Sequence, residues 1–227
     1  MLGGAPDAIY LREPVTQSDP RLYERGTTLR LDAPGVEETY RRFGDRAFAG
    51  KPDFSERIVI YHEQWSPEDR AERRVVVKEV NPYACGWYLE RYAPRLIFLV
   101  RHPAAVSMSY ERLGWLPTDV AAWRRSGTIQ AEGLATALRA MEGYRTRVTV
   151  VYEDLCARLL ALFQEMYTFA GLTLNDATRS YIDENSRESA KMIDSWRGRI
   201  DRDKLDALRQ AYCAVALPWY QDALDWT

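Results

Sequence analysis

Histidine is almost absent. The 227 residues hold two, His62 and His102. Cysteine is nearly as rare, at three. Cys85, Cys156 and Cys213 are odd in number and have no metal-type spacing. They fit buried reduced thiols of a cytoplasmic protein better than a disulfide framework or a zinc cluster, and no metal is expected. Apolar runs are short, far below the roughly 20 residues that span a bilayer, so no membrane helix is expected. Residues 1–7 lack the basic start and long apolar core of a signal peptide. Neither charge sign dominates. Lys and Arg number 31 against 33 Asp and Glu, for a net charge of −2. That balance gives no global pull toward nucleic acid or an anionic membrane. No internal repeat or low-complexity tract occurs.

What is present suits a single α/β domain over residues 1–227, with 46% hydrophobic and 28% charged residues. Residues 8–11 read as a short strand ending at Arg12-Glu13-Pro14. Loop follows to about Gly35, long enough for a substrate loop or lid. Residues 36–48 read as a helix with Gly44 as its weak point, and 57–62 as a strand or a helix end. A β-branched strand over 74–80 runs into Lys78-Glu79 and is broken by Asn81-Pro82. A helix over 83–92 leads to the strand Leu96-Ile-Phe-Leu-Val100, an unbroken apolar run of the kind covered on both faces. Helices over 103–115 and 118–143, the second interrupted near Ser126-Gly127, precede a strand over 147–152. From Leu159 the apolar positions mark one helical face that stops at Gly171. A helix capped by Asn175 or Asp176 runs to about Asn185. A looser stretch over 186–200 precedes a final helix from Asp201. Strands alternating with helices predict a three-layer parallel sheet flanked by helices.

Chemistry concentrates around the apolar strand. It ends at Arg101-His102-Pro103, where proline suits the first turn of a helix, and Ser107 and Ser109 follow within two turns. A strand-end cation, a helix N-terminus and hydroxyls form a natural phosphate pocket. Arg101, Pro103 and Ser109 match the spacing of the 3′-phosphate segment of the sulfotransferase family, which this chain resembles. Tyr152-Glu153-Asp154-Leu155, followed by Phe169-Ala170-Gly171-Leu172, resembles that family's second signature. Ser195-Trp196-Arg197-Gly198-Arg199 is similar to its late loop over the nucleotide. The resemblance implies a P-loop NTPase-like sulfotransferase fold. It also implies that a sulfuryl group passes from PAPS (3′-phosphoadenosine 5′-phosphosulfate) to a hydroxyl or amine of a small-molecule or glycan acceptor. By that resemblance Arg101 and Ser109 would hold the 3′-phosphate, Tyr152 would lie on the adenine, and Arg197, with Arg199, Arg187 and Lys191 nearby, would be a candidate phosphate partner.

The catalytic base is less plain. The cytosolic members place a His two residues after a Lys, but here Lys78 is followed by Glu79 and Val80. The glycan-modifying members use a Glu where this chain has Glu13. Glu13 is therefore the expected base, His62 the second choice, and Lys78 the stabiliser of the leaving group. The family's first strand and its Gly-rich 5′-phosphosulfate loop have no counterpart. Residues 1–6 resemble the end of the helix that follows that loop. Residues 44–51 only superficially resemble a P-loop, with one residue too many and Pro52 where Ser or Thr belongs. Because the missing strand is central in the family, its loss is expected to expose apolar strand edges and to favour self-association. A non-catalytic binding or assembly module derived from a sulfotransferase is the main alternative. An ATP-using kinase relative ranks lower, since no Walker lysine is present.

Overall fold

Leu96–Val100 forms a strand, as its apolar run requires, in the computed structural model, which describes residues 2–24, 29–51, 53–65 and 72–227 and leaves aside the side chains of 23, 24, 186, 187 and 189. The described strands are β1 (Ala8–Arg12), β2 (Arg74–Lys78), β3 (Leu96–Val100) and β4 (Arg147–Val151). The helices are α1 (Pro20–Glu24), α2 (Val36–Phe48), α3 (Cys85–Tyr92), α4 (Pro103–Arg112), α5 (Val120–Ala140), α6 (Tyr152–Ala157), α7 (Leu159–Ala170), α8 (Asp176–Lys191) and α9 (Arg202–Cys213). No described helix is long and apolar enough to cross a membrane.

The chain is α/β, and its parallel strands form two separate pairs rather than one sheet. β1 pairs with β2, Ala8 opposite Arg74, and β3 pairs with β4, Leu96 opposite Arg147. Both pairs run the same way over one floor. Ala8 and Val76 from the first pair, and Ile97, Val148 and Val150 from the second, pack on Leu159, Phe163, Met166 and Tyr167 of α7. At the amino ends of the strands, Arg74 donates to the Gly171 carbonyl (2.7 Å) and Arg95 to that of Phe169 (2.9 Å). β2 and β3 are therefore the inner strands.

The opposite face is roofed by helices. Leu11 and Val77 pack on Ala47 of α2. Leu96 and Phe98 pack on Cys85 and Leu89 of α3 and on Ala137 and Met141 of α5. α2 and α3 are clasped together above the space between the pairs. Arg91 holds Asp45 through two bonds of 2.7 Å, and Phe48 stacks on Tyr92 with centroids 3.9 Å apart. Gly44 allows this approach, since a Cβ there would lie 2.8 Å from the Trp87 ring.

Several boundaries differ from the sequence expectation. Residues 57–62 are mostly turn and coil: Ile58 O accepts from Arg12 N at the outer edge of β1, and a 3-10 turn begins at His62. The loop before Gly35 contains α1. Helix α5 is continuous through Ser126-Gly127, because Gly127 is where the Leu208 backbone carbonyl of α9 comes closest. Tyr152 opens α6 rather than closing β4, and α8 runs on to Lys191.

Candidate functional site

The strands of both pairs point their carboxyl ends the same way, and Arg101, Tyr152 and Arg197 on one side, and Glu13 and Lys78 on the other, form two clusters there, while His62, Ser109 and Lys191 join neither. The first cluster joins β3, β4 and the late loop. His102 caps α4, its Nδ1 accepting from Ala104 N at 3.2 Å, because proline at the next position leaves the first helical donors to be met by a side chain. Glu153, one residue into α6, accepts from His102 N (3.1 Å) and from the Tyr220 hydroxyl (2.5 Å). The His102 ring stacks on Trp196 at 4.4 Å, with Tyr220 and Trp226 edge-on at 4.7 Å each. Burial, helped by the Arg197 charge, pushes His102 down to about 4, so it is neutral near pH 7. The three sequence signatures are thus physically tied to one another.

Arg101 lies over the Tyr152 ring, its guanidinium carbon 4.5 Å from the centroid. Its Nε is buried and has no hydrogen-bond partner among the described residues, and no ion pair joins it among them. A buried N–H on such a cation is costly unless an anion meets it. Arg197 stacks on Trp196 at 4.8 Å and bonds Asp194 at 2.6 Å. Ser109 is half-buried on α4 with no hydrogen bond among the described residues, and no contact joins it to Arg101. Ser107, in contrast, is locked to Ser126 (2.8 Å) and Gln130 (2.9 Å). Lys191 pairs with Glu188 at 2.5 Å on the exposed side of α8, and the Arg187 side chain lies outside the described residues.

The second cluster sits at the ends of β1 and β2. Glu13, at φ 50 in the left-handed region, donates its N–H to Lys78 O (2.6 Å) and pairs its carboxylate with the Lys78 ammonium. Gln17 adds a bond at 3.0 Å. Burial pushes the Glu13 carboxyl up, but Lys78 and Gln17 outweigh it and hold it below its ordinary value. Glu79 was not singled out from the sequence. Its carboxylate accepts from Val15 N (2.7 Å), Thr16 N (3.4 Å) and the Thr16 hydroxyl (2.8 Å). Burial raises it to about 7 against those bonds, with the nearby Glu13 charge adding a little. A second acidic residue directly after Lys78, just before Asn81-Pro82, was the only sequence signal for it.

His62 stands apart, exposed on the outer flank of β1, where its neighbour Gln64 accepts from Tyr10 N at 2.9 Å. Two clefts are lined by none of the site residues singled out from the sequence. One of about 260 Å³ follows the outer edge of β4, and one of about 350 Å³ lies between the ends of α3 and α5. Among the described residues no group of three or more His, Cys, Asp or Glu side chains converges as a metal site would require. Comparison with family models, with curated proteins and with solved structures finds no match for this chain.

Proposed function

We propose that this chain carries the 3′-nucleotide half of a PAPS-dependent sulfotransferase site, on a P-loop NTPase-like sulfotransferase fold. The observation that carries this reading is Arg101, with a buried Nε–H that has no partner among the described residues and its guanidinium laid over Tyr152 at the mouth of α4. A 3′-phosphate would meet that N–H and the positive end of α4, and the purine edge would find Tyr152. Arg197 sits one residue from the Trp196 that stacks on His102, close enough to lower the imidazole pKa, and so within reach of the same anion.

In the proposed reaction the acceptor oxygen or nitrogen attacks sulfur, the bond from sulfur to the 5′-phosphate oxygen breaks, and the acceptor proton passes to a carboxylate. PAPS supplies the activated sulfuryl group. Lys78 is the cation available to the departing phosphate oxygen. Glu13 touches Lys78 directly, so a proton accepted there is close to the developing charge. The acceptor is a hydroxyl or amine on a small molecule or glycan. The pairing of Lys78 with Glu13 supports the second reading too, a binding module without turnover, since the pair leaves that ammonium neutralised.

The test is titration of the purified chain with 3′,5′-diphosphoadenosine, beside Arg101→Ala. Saturable binding weakened by about 10- to 100-fold in the variant is expected, as for the loss of a charged hydrogen-bond donor. Equal affinity in the two proteins overturns the site. Absence of binding by a folded wild type overturns the nucleotide reading altogether.

A further inference from the structure

The outer edge of β4 carries a pattern that is complementary to itself. In a strand both backbone groups of a residue point to one side, and successive residues alternate. Thr146 O accepts from Leu96 N, so Val148 and Val150 face β3, while Arg147, Thr149 and Val151 turn their backbone groups outward. No hydrogen bond meets the backbone of Thr149 on that side among the described residues. Edges are commonly blunted by lysine, proline or a bulge, and Val148-Thr149-Val150-Val151 has none of these in an unbroken register. The floor continues past this edge as a shelf. Arg158, Leu162 and Glu165 line the cleft of about 260 Å³ beside it, at helical spacing along one side of α7. β4 leads straight into α6 and α7, so Arg158 stands at the carboxyl end of β4. Arg74 reaches the Gly171 carbonyl from the amino end of β2, so α7 finishes at that end and Glu165 lies toward it. Arg158 and Glu165 are both exposed, and neither has an ion pair among the described residues.

We infer that this edge pairs antiparallel with the same edge of a second copy, across a twofold axis at Thr149. Thr149 then exchanges both backbone bonds with the partner's Thr149, and Val151 N–H donates to the carbonyl of the partner's Arg147. Antiparallel pairing reverses the shelf as well as the strand. Arg158, at the carboxyl end of one β4, comes beside the partner's Glu165 at the amino end of the other, and the symmetry repeats the pair. A parallel neighbour would instead set Arg158 beside the partner's Arg158. The charges therefore choose the orientation. Ala161 and Leu162 lie midway between the two charges, so the axis crosses α7 where its side chains are uncharged. Asp154, the third charge on the cleft wall, lies beyond Arg158, which stands between it and the partner's Glu165. This inference does not rest on the nucleotide reading.

Sedimentation equilibrium on the whole chain tests it. A monomer–dimer equilibrium with Kd of about 1–100 μM is expected, as for a small interface. Arg158→Glu and Glu165→Arg each set like charges together twice, and each should weaken the dimer by about tenfold or more. The double exchange, Arg158→Glu with Glu165→Arg, restores both pairs and should bring Kd back to within about threefold of wild type. Both positions are exposed, so far-UV circular dichroism of all three variants should match wild type. Amide hydrogen exchange gives the second readout. Thr149 and Val151 should exchange more slowly as protein concentration rises, while Val148 and Val150, already bonded to β3, should not change. Four outcomes would each overturn the inference: a wild type that stays monomeric at about 200 μM, since that lies above the expected Kd; a dimer that neither single variant weakens; a double exchange that fails to restore it; or concentration-dependent protection on another strand in place of β4.

Discussion

Two carboxyls at neighbouring strand ends are driven in opposite directions, Glu13 below its ordinary value and Glu79 up to about 7. Between about pH 4.5 and 7 the folded chain holds more protons at Glu79 than the unfolded chain does, so stability from this group is complete below that window and is lost as pH rises through it. His102, at about 4 when folded, acts in reverse. The unfolded chain takes up that proton first, so its contribution is complete above about pH 6.5 and is lost as pH falls toward 4. The two slopes oppose, and the wild type alone conceals both. Glu79→Gln removes only the first. Urea unfolding of both proteins should show the variant gaining on wild type, on the order of 3 kcal/mol, between pH 5 and 8. A difference independent of pH would mean that Glu79 is ionised throughout. Arg101 was legible in the sequence because a strand-end cation before His-Pro is a local pattern. Glu79 was not, because its burial comes from Val15 and Thr16, more than sixty residues earlier, folding back over it.

At the scale of elements, α5 and α9 show how one glycine can be read two ways. A glycine inside a helical pattern suggests a break, and Gly127 was read so. Its actual use is close packing: a Cβ there would sit 2.5 Å from the Leu208 carbonyl oxygen, inside contact distance of a backbone that cannot move freely. Gly127→Ala should therefore cost about 1–3 kcal/mol despite its better helix propensity, with a melting temperature lower by about 2–4 °C per kcal/mol. Gly143→Ala is the comparison, since it meets no atom within 4 Å and bears only the strain of φ 73. Its loss should be smaller, about 1 kcal/mol. A stabilised Gly127→Ala would show that α5 and α9 are not seated as described. The central strands were legible because runs such as residues 96–100 have strand length and composition. Residues 57–62 were not, because their role at the edge of β1 is set by Arg12 and Tyr10 rather than by any period of their own.

For the whole molecule, the separation of the strand pairs raises the question of what makes them one folding unit. No backbone hydrogen bond is described between β2 and β3, so cohesion falls to the helical layers. On the floor, α7 contributes Leu159, Phe163, Met166 and Tyr167 to one apolar cluster that holds side chains of all four strands or their flanks. On the roof, the Asp45–Arg91 and Phe48–Tyr92 contacts are solvent-facing and only moderately strong. The floor must dominate. Phe163→Ala should cost about 3–5 kcal/mol, as for emptying a buried aromatic site, and should weaken both pairs together. Thermal unfolding followed by far-UV circular dichroism and by tryptophan fluorescence should then shift as a single coincident transition, lower by several degrees. The tryptophans make the test informative, because Trp87 reports on α3 beside the clasp while Trp123 and Trp196 report on the cluster beyond β3 and β4. Two separated transitions in the variant would mean that each pair stands on its own layer, and that α7 is a neighbour of both rather than the element joining them.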